Sequence, residues 1–474
     1  MVAAAFFDLD RTLLPCASGT FFARHLEAEG ISSNATKAPG AELMVRAYDL
    51  FGETRLNVAI AKLAVRASAG WSVEAVERAA RNAVPDLLDA IPGYAKLLLD
   101  EHRASGVKLV IASTSPKVLM APLADALGFD DVIGTDWKQV DGTFAGGIDG
   151  EFVWGTAKRD AVAAWAEANE ISLAESFAYS DSYYDSPMLD LVGTGVAVNP
   201  DARLAGVAML HGWEIRHFDA PPGVVKFAGR ELQDWMRVFT RPEFAPNAKW
   251  SFSGLENLPK AGAAILAFNH RSYFDVMAMQ QLIAKTGRPV RFLAKAELFD
   301  DPLVGPIAKL AGGIRVDRGS GSHAPLAKAI EALHAGEVVA IAPQGTIPRG
   351  AAFFETTLTG RPGAATLAKE GGKVPVIPVG LWGTEKVWPR SQQAPSFNVL
   401  EPPEVSVHVG APVDLKYRSA KTDTVRIMDA LLALLPEAAR TTHRPTLSEL
   451  AKTFPPGHKM TDEERAGATG EASA

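Results

Sequence analysis

Two aspartates follow an apolar run in the segment FFDLDRTLL (6–14). The run predicts a buried strand, and ligands bind at the carboxyl ends of the strands in a parallel sheet. Asp8 and Asp10 would repel each other there unless a cation lay between them, and carboxylate oxygens suit Mg²⁺. Taken alone, the pair is also consistent with acids that cap a turn.

Further polar side chains follow later strand-like runs or open a predicted helix. They are Ser113 with its neighbour Thr114, Lys158, Asp181 and Asp185. In isolation Ser113 is best read as the cap of a following helix, and Lys158 as a solvated charge. Only their combination with Asp8 and Asp10 indicates a catalytic site.

The order and spacing of these residues resemble the haloacid-dehalogenase-like hydrolases, in particular the phosphoserine-phosphatase-like branch. The resemblance implies that Asp8 attacks phosphorus and forms an aspartyl-phosphate. Asp10 would protonate the leaving oxygen and then activate water. Ser113, or alternatively Thr114, would contact the phosphoryl group, and Lys158 would balance charge. A carboxylate that attacks a phosphate dianion needs such cations to cancel the repulsion.

The same resemblance implies a magnesium site. Asp8, Asp10 and Asp181 would hold the ion, and Asp185 would support it from a second position. The helical stretch 14–90 would form a cap that excludes water from the site and selects the substrate.

A histidine and an aspartate lie five residues apart in the segment AAILAFNHRSYFD (263–275). On a continuous helix this spacing would rotate His270 and Asp275 apart by about 140°. If Ser272 caps a helix that begins there, His270 lies in the preceding loop and can fold back toward Asp275. An imidazole oriented by a carboxylate is a general base near neutral pH. The alternative is an ordinary histidine at a strand end.

Three later motifs change that balance, and they read GGIRVDR, APQGT and VPVIPVG. Together with the histidine motif they resemble the glycerolipid acyltransferases of the lysophosphatidic-acid acyltransferase type. The resemblance implies that His270 takes the proton from a glycerol hydroxyl and that Asp275 stabilises the imidazolium. The alkoxide would then attack the thioester of acyl-CoA or acyl-carrier protein.

The acceptor side of this second site departs from the family pattern. Arg318 would clamp the acceptor's phosphate, because guanidinium matches phosphate bidentately. Gly345 and Thr346 would let the backbone and a hydroxyl approach the acceptor. Gln344 stands where the family usually has glutamate, and Arg349 lies further on than the usual arginine. Because an amide lacks the charge that would repel a phosphate, we predict that Gln344 shapes acceptor preference.

The elements that must position these residues alternate between strand and helix, which predicts an α/β fold with two domains. We expect a doubly wound Rossmann-like phosphatase domain over 1–220 and an amphipathic linker over 221–244. A glycerolipid acyltransferase domain would follow over 245–440, and then a partly disordered tail over 441–474.

Composition sets further limits on function. The chain has 474 residues, a net charge of −7 and one cysteine. The negative charge argues against general nucleic-acid binding, and a single cysteine allows no disulfide within the chain. The sequence contains no window of 18 or more apolar residues, so we expect no transmembrane helix. We expect a peripheral enzyme on the cytoplasmic side of the membrane, touching it through 51–68, 224–239 or 298–313.

The sequence therefore supports a bifunctional enzyme that acylates lysophosphatidate and hydrolyses a phosphomonoester. One alternative makes the phosphatase-like domain an idle docking or regulatory scaffold. Another keeps the phosphatase and makes the acyltransferase-like domain a lipid-binding module. Two observations favour two active centres. The first site has its complete set of acids, and the second has His270, Asp275 and Arg318.

Overall fold

The computed structural model describes residues 2–31, 55–227, 229–237, 239–302, 304–316 and 326–469. The chain forms two compact units, Met1–Gly223 and Val224–Ala474. The predicted clamp Arg318 and part of the predicted membrane segment 51–68 lie outside the described residues. None of the helices within the described ranges has both the length and the apolar character needed to cross a bilayer.

The first unit consists of a central sheet and helices. Its strands are β1 (Ala4–Phe7), β2 (Lys108–Pro116), β3 (Asp131–Val140), β4 (Thr143–Asp149), β5 (Phe177–Ser180), β6 (Thr194–Val198) and β7 (Glu214–Arg216). Its described helices are α1 (Gly19–Ala28), α2 (Arg55–Ala67), α3 (Val73–Ala90), α4 (Gly93–Ala104), α5 (Lys117–Leu127), α6 (Thr156–Ala168), α7 (Ser186–Leu189) and α8 (Ala202–His211). A turn over Leu9–Leu13 follows β1, with non-helical backbone angles at Asp10 and Arg11.

Strand β1 lies at the centre of the first sheet, whose order is β4-β3-β2-β1-β5-β6-β7. It pairs in parallel with β2 and with β5. Its alternate side chains enter two different apolar clusters, Phe7 in one and Phe6 in the other. A strand that is covered on both faces reads as an unbroken apolar run, as AAFF does. The carboxyl ends of β1, β2 and β5 therefore lie side by side.

One hairpin of the first sheet was not predicted. Strands β3 and β4 pair antiparallel around a two-residue loop. Its residues Asp141 and Gly142 have φ of 49° and 75°. An Asp-Gly pair between strand-like runs is the sequence signal for such a turn. The segment SPKVLMAPLADALG (115–128), whose apolar spacing and final glycine are typical of a helix, contains α5, which ends at Gly128 in the left-handed region.

A buried histidine supports the strand that leads to the first site. The His102 Nε2 and the Tyr179 hydroxyl lie 2.8 Å apart, and Tyr179 stacks on Phe7 with ring centroids 4.4 Å apart. Burial lowers the pKa of His102. The folded state thus resists protonation, while the unfolded chain takes up a proton near pH 6.5, so this group costs stability as pH falls through that value.

We expect the His102→Gln variant to lose less unfolding free energy than the wild type between about pH 7.5 and about pH 5. Urea denaturation of both proteins at the two pH values measures the difference. An equal loss in both proteins would show that His102 carries none of the pH dependence.

The second unit also contains a central sheet. Its strands are β8 (Lys226–Phe227), β9 (Arg230–Glu231), β10 (Lys249–Ser253), β11 (Ala264–Phe268), β12 (Val290–Lys295), β13 (Ile314–Val316), β14 (Val338–Ile341), β15 (Val376–Trp382) and β16 (Glu404–Val409). Its described helices are α9 (Leu232–Met236), α10 (Asp275–Thr286), α11 (Ala296–Asp300), α12 (Val304–Leu310), α13 (Ala327–His334), α14 (Gly363–Glu370), α15 (Thr384–Val387), α16 (Ala420–Ala433), α17 (Leu447–Lys452) and α18 (Asp462–Thr469).

The second sheet has the order β10-β16-β15-β11-β14-β12-β13 and places β11 between β15 and β14, parallel to both. Only the β15–β16 pair of these strands is antiparallel. As in the first sheet, successive residues of the central strand enter two clusters, Ile265 in one and Leu266 in the other. The His270 loop after β11 and the APQGT loop after β14 therefore leave the same edge. Helices α17 and α18 lie within the predicted tail.

The segment predicted as an amphipathic linker, 221–244, contains a hairpin and a short helix. The chain forms the short hairpin β8–β9 and then α9, which begins with a capping box between Glu231 and Asp234. The Gln233 amide donates to the Val290 carbonyl at 2.8 Å and accepts from its N–H at 3.0 Å. Arg291 holds Glu231 with two hydrogen bonds. These polar contacts fix the segment at the start of β12, which helical periodicity alone does not reveal.

Candidate active sites

The first site begins where β1 ends, at Asp8. Lys158, near the start of α6, donates from Nζ to Asp8 Oδ1 at 2.9 Å and to Asp185 Oδ2 at 2.6 Å. All three side chains are buried. Burial raises the pKa of Asp8 to about 7, an effect that Lys158 opposes and that Asp185 adds to. Lys158 therefore favours the ionised carboxylate that a nucleophile requires.

Asp10 is held by a different set of donors. Its carboxylate accepts from the Ser18 backbone N–H and from the Ser115 hydroxyl, the latter at 3.1 Å. Burial raises the pKa of Asp10, which suits a group that must carry a proton at neutral pH. The Ser113 hydroxyl is buried and accepts from the Ser115 N–H at 3.3 Å. Ser18 and Ser115 were not among the predicted site residues.

Asp181 lies beside the same cluster, at the end of β5. Its Oδ2 is 2.9 Å from Arg11 Nε, and its backbone N–H donates to the Thr12 hydroxyl at 3.0 Å. Arg11 has a φ of 59°, a region that costs a residue with a Cβ about 1–2 kcal/mol. Sequence reasoning missed Arg11 and Thr12, although both lie inside the DLDRT motif.

The cluster combines four carboxylates with two cationic side chains. The carboxylates are those of Asp8, Asp10, Asp181 and Asp185, and the cations are Lys158 and Arg11. With every group ionised, the formal charge is −2, which a divalent cation would neutralise. Asp185 Oδ1 is buried and accepts no hydrogen bond from the described residues. The chemistry and charge of the donor set thus fit Mg²⁺.

Protein donors nevertheless hold the predicted metal ligands. Asp8 pairs with Lys158, Asp10 with Ser18 and Ser115, and Asp181 with Arg11. In the described part of the chain, no three His, Cys, Asp or Glu side chains form a ready set of metal ligands. The assignment of Asp8, Asp10 and Asp181 to a metal stays a prediction.

In the second site, His270 lies in the loop after β11 and folds back onto the start of α10. Its Nδ1 is 2.7 Å from Asp275 Oδ2. The same oxygen accepts from the N–H groups of Arg271 and Ser272, at 2.7 and 2.8 Å. Asp275 is fully buried, whereas 22% of the His270 side chain is exposed. A fixed carboxylate thus orients an imidazole that solvent can reach.

Ser272 does not cap this helix, whose N-cap residue is Phe274. Helix α10 begins at Asp275, so Asp275 itself stands in its first turn. Ser272 instead forms a turn, in which its hydroxyl accepts from the Phe274 N–H at 2.9 Å and donates to the Trp388 carbonyl at 2.6 Å. The fold-back of His270 toward Asp275 needs this turn.

Contacts from neighbouring strand ends fix the residues around His270. The Asn269 side chain bonds both the N–H and the carbonyl of Leu381, at 2.7 and 2.9 Å. Gln344 Oε1 accepts from the His270 N–H at 2.6 Å. The APQGT loop therefore holds the His270 loop directly, a contact that its position in the sequence does not disclose.

In the second site, sequence reasoning also missed Arg271. Its guanidinium lies 4.2 Å from the Phe353 ring centroid and 4.4 Å from that of Trp382. Its Nε is 3.3 Å from Glu385 Oε2, and 14% of its side chain is exposed. Such stacking on two aromatic faces is a substantial interaction when shielded from water. It ties the His270 loop to two other segments that are remote in sequence.

The remaining predicted acceptor residues are Gly345, Thr346 and Arg349. Gly345 has a φ of 73°, and a Cβ there would lie 3.2 Å from Arg361 Cδ, so glycine suits this position on both counts. Thr346 is half-buried, and Arg349 is exposed. Arg361 was not predicted, and its N–H donates to the Pro343 carbonyl at 2.8 Å.

We expect the Gln344→Glu variant to keep the bond to the His270 N–H, because a carboxylate also accepts it. The added charge should lower kcat/KM for a phosphorylated acceptor about tenfold relative to an uncharged one. The matched Gln344→Ala variant loses the bond and should slow both acceptors alike. Competition between the two acceptors in one reaction measures the preference. An unchanged preference in Gln344→Glu would make the glutamine a tolerated isostere.

Comparison with known proteins agrees with both resemblances. Residues 5–190 match the haloacid dehalogenase-like hydrolase family, and residues 249–382 match the acyltransferase family. A phosphoserine phosphatase of Mycobacterium tuberculosis is 36% identical over 221 residues, which cover 46% of this chain and 71% of that protein. A chloroplastic 1-acyl-sn-glycerol-3-phosphate acyltransferase of Brassica napus is 28% identical over 172 residues, covering 35% of this chain and 46% of that protein.

Among solved structures, the 1-acyl-sn-glycerophosphate acyltransferase of Thermotoga maritima is 22% identical, with a TM-score of 0.32, and the match covers 43% of this chain and 81% of that one. The two family matches fall on the two compact units, one on each. The chain belongs to the haloacid dehalogenase-like hydrolases through its N-terminal unit and carries an acyltransferase domain in its C-terminal unit.

Proposed function

We propose that the chain is a bifunctional enzyme of phospholipid synthesis. The C-terminal unit would transfer an acyl group from acyl-CoA, or from acyl-carrier protein, to 1-acylglycerol-3-phosphate and so form phosphatidic acid. The N-terminal unit would hydrolyse a phosphomonoester in a magnesium-dependent reaction. The sequence similarity to the acyltransferase of Brassica napus supports the choice of acceptor.

The observation that carries the acyltransferase proposal is the His270–Asp275 pair, whose atoms lie 2.7 Å apart. With Nδ1 facing the carboxylate, Nε2 is the nitrogen that takes the proton from the acceptor hydroxyl. Asp275 then stabilises the imidazolium, and its own charge is held by two backbone N–H groups. The hydroxyl oxygen attacks the thioester carbon, and the thiolate leaves with a proton returned by His270.

The phosphatase proposal rests on the different environments of Asp8 and Asp10. Asp8 beside Lys158 would attack phosphorus, and Asp10, with its raised pKa, would hand a proton to the leaving oxygen. Asp10 would then take a proton from the water that hydrolyses the aspartyl-phosphate. Bound by Asp8, Asp10 and Asp181, a magnesium ion would supply positive charge to the phosphoryl oxygens. An idle scaffold has no need for four acids in one buried cluster, since their repulsion costs stability.

We further propose that the second unit touches a lipid surface, where its substrates partition. Exposed aromatic side chains support this, with Phe227 at 77%, Phe239 at 69% and Phe244 at 61% exposure. On α11 and α12, Leu298, Ile307 and Leu310 are also exposed. Aromatic and aliphatic side chains of this kind insert at the boundary between headgroups and acyl chains.

The proposal is tested with the purified full chain. Mass spectrometry would follow the conversion of an acyl-thioester and lysophosphatidate into phosphatidate, and phosphate release would be followed from a panel of phosphomonoesters with Mg²⁺. We expect product in both reactions. Acyl transfer without phosphate release from any ester would favour the scaffold, and the reverse result would favour a lipid-binding module.

A further inference from the structure

The fourth residue of the DLDRT motif adopts a backbone conformation that glycine would adopt more readily. Arg11 has a φ of 59°. Its N–H donates to the Cys16 carbonyl at 3.3 Å, and its carbonyl accepts from the Asn199 amide at 3.4 Å. A strained residue persists where the surroundings over-determine it, often at a functional site. What the arginine adds here, compared with glycine, is its side chain.

That side chain reaches a carboxylate of the proposed phosphatase centre. Arg11 Nε lies 2.9 Å from Asp181 Oδ2, and the two side chains are 12% and 4% exposed. The Thr12 hydroxyl lies near the other oxygen, 3.4 Å from Asp181 Oδ1. A guanidinium in this place both orients the carboxylate and neutralises part of its charge.

We infer that Arg11 opposes the binding of a divalent cation at Asp181 while it holds that carboxylate in position. The inference rests on the proposed role of Asp181 as a metal ligand. If a cation binds Asp181, Arg11 becomes a positive charge about 5 Å from a divalent ion, and even full aqueous screening then weakens binding by about tenfold. Burial of the pair strengthens this repulsion.

This opposition has a consequence for the reaction. A cluster of four carboxylates with Lys158 alone would retain a divalent cation at low concentration. With Arg11 added, the net negative charge of the cluster is smaller by one, so the site binds the cation more weakly. A higher concentration of free cation is then needed to fill it. Arg11 thereby makes phosphate release respond to the supply of Mg²⁺.

Calorimetric titration of the full chain with Mg²⁺ tests the inference without any substrate. The variants are Arg11→Gln and Arg11→Gly, which remove the charge, and Arg11→Lys, which retains it. Arg11→Gly also suits the positive φ, so that it keeps the loop if the glutamine variant folds poorly. We expect Mg²⁺ to bind about tenfold or more tightly in the Gln and Gly variants and as in the wild type in the Lys variant.

Arg103→Gln is the matched control, because Arg103 is an exposed arginine of the same unit paired with Asp100. It should leave the Mg²⁺ affinity unchanged. Unchanged or weaker binding in both Arg11→Gln and Arg11→Gly would overturn the inference. So would a wild type that binds no Mg²⁺, and phosphate release measured in EDTA would then show whether the phosphatase assignment survives on its own.

Discussion

Replacement of Asp8 by asparagine is expected to lower phosphate release by about 10⁴-fold or more, because an amide cannot act as the nucleophile. The change is nearly isosteric, and Lys158 keeps its second partner, Asp185, at 2.6 Å. Burial raises the pKa of Asp8 to about 7, which means that the folded state pays to keep this carboxylate ionised. A neutral amide should therefore leave the unit at least as stable near pH 7.5.

The measurement compares phosphate release with the urea unfolding midpoint of the same preparations. Asp160→Asn is the matched control, since Asp160 is an exposed aspartate of α6 that pairs with Arg159. Retained phosphate release in Asp8→Asn would contradict the nucleophile assignment. Loss of activity together with loss of stability would contradict the account of the buried charge.

Replacement of His270 by alanine is expected to lower acyl transfer by about 10³-fold, within the range that a positioned general base contributes. The fall should appear in kcat, because the imidazole acts on the hydroxyl proton in the transition state rather than on ground-state binding. Asp275→Asn should also reduce kcat, since it removes the charge that stabilises the imidazolium. The Asp275 carboxylate is fully buried and also accepts two backbone N–H groups, so this variant tests orientation as well.

Initial rates over a range of acceptor concentrations separate kcat from KM. The exposed His443, which pairs with Glu449 at 3.2 Å, offers His443→Ala as a control within the same unit. Undiminished acyl transfer by His270→Ala would exclude His270 as the general base.

The central strands of the two sheets follow from local sequence patterns. Unbroken apolar runs such as AAFF and AAILAF predicted the central strands, because a strand buried on both faces needs no polar alternation. The clustering of polar residues after these strands was also predictable, since parallel strands have their carboxyl ends at one edge of the sheet. The Asp-Gly turn between β3 and β4 was equally readable and was overlooked.

What the sequence could not disclose are contacts between segments that lie far apart along the chain. The bond from Gln344 to the His270 N–H and the stacking of Arg271 on Phe353 and Trp382 depend on how loops converge. The contacts of the linker segment are of the same kind. Gln233 bonds to the Val290 N–H and Arg291 bonds to Glu231, and these partners lie 57 and 60 positions apart along the chain.

The central claim is that one chain carries two independent catalytic centres. Its most direct test assays Asp8→Asn and His270→Ala in both reactions, phosphate release and acyl transfer, using one preparation of each variant. The account predicts that Asp8→Asn loses phosphate release alone and that His270→Ala loses acyl transfer alone. If either variant lost both activities while remaining folded, or if neither activity fell, two independent centres would be contradicted.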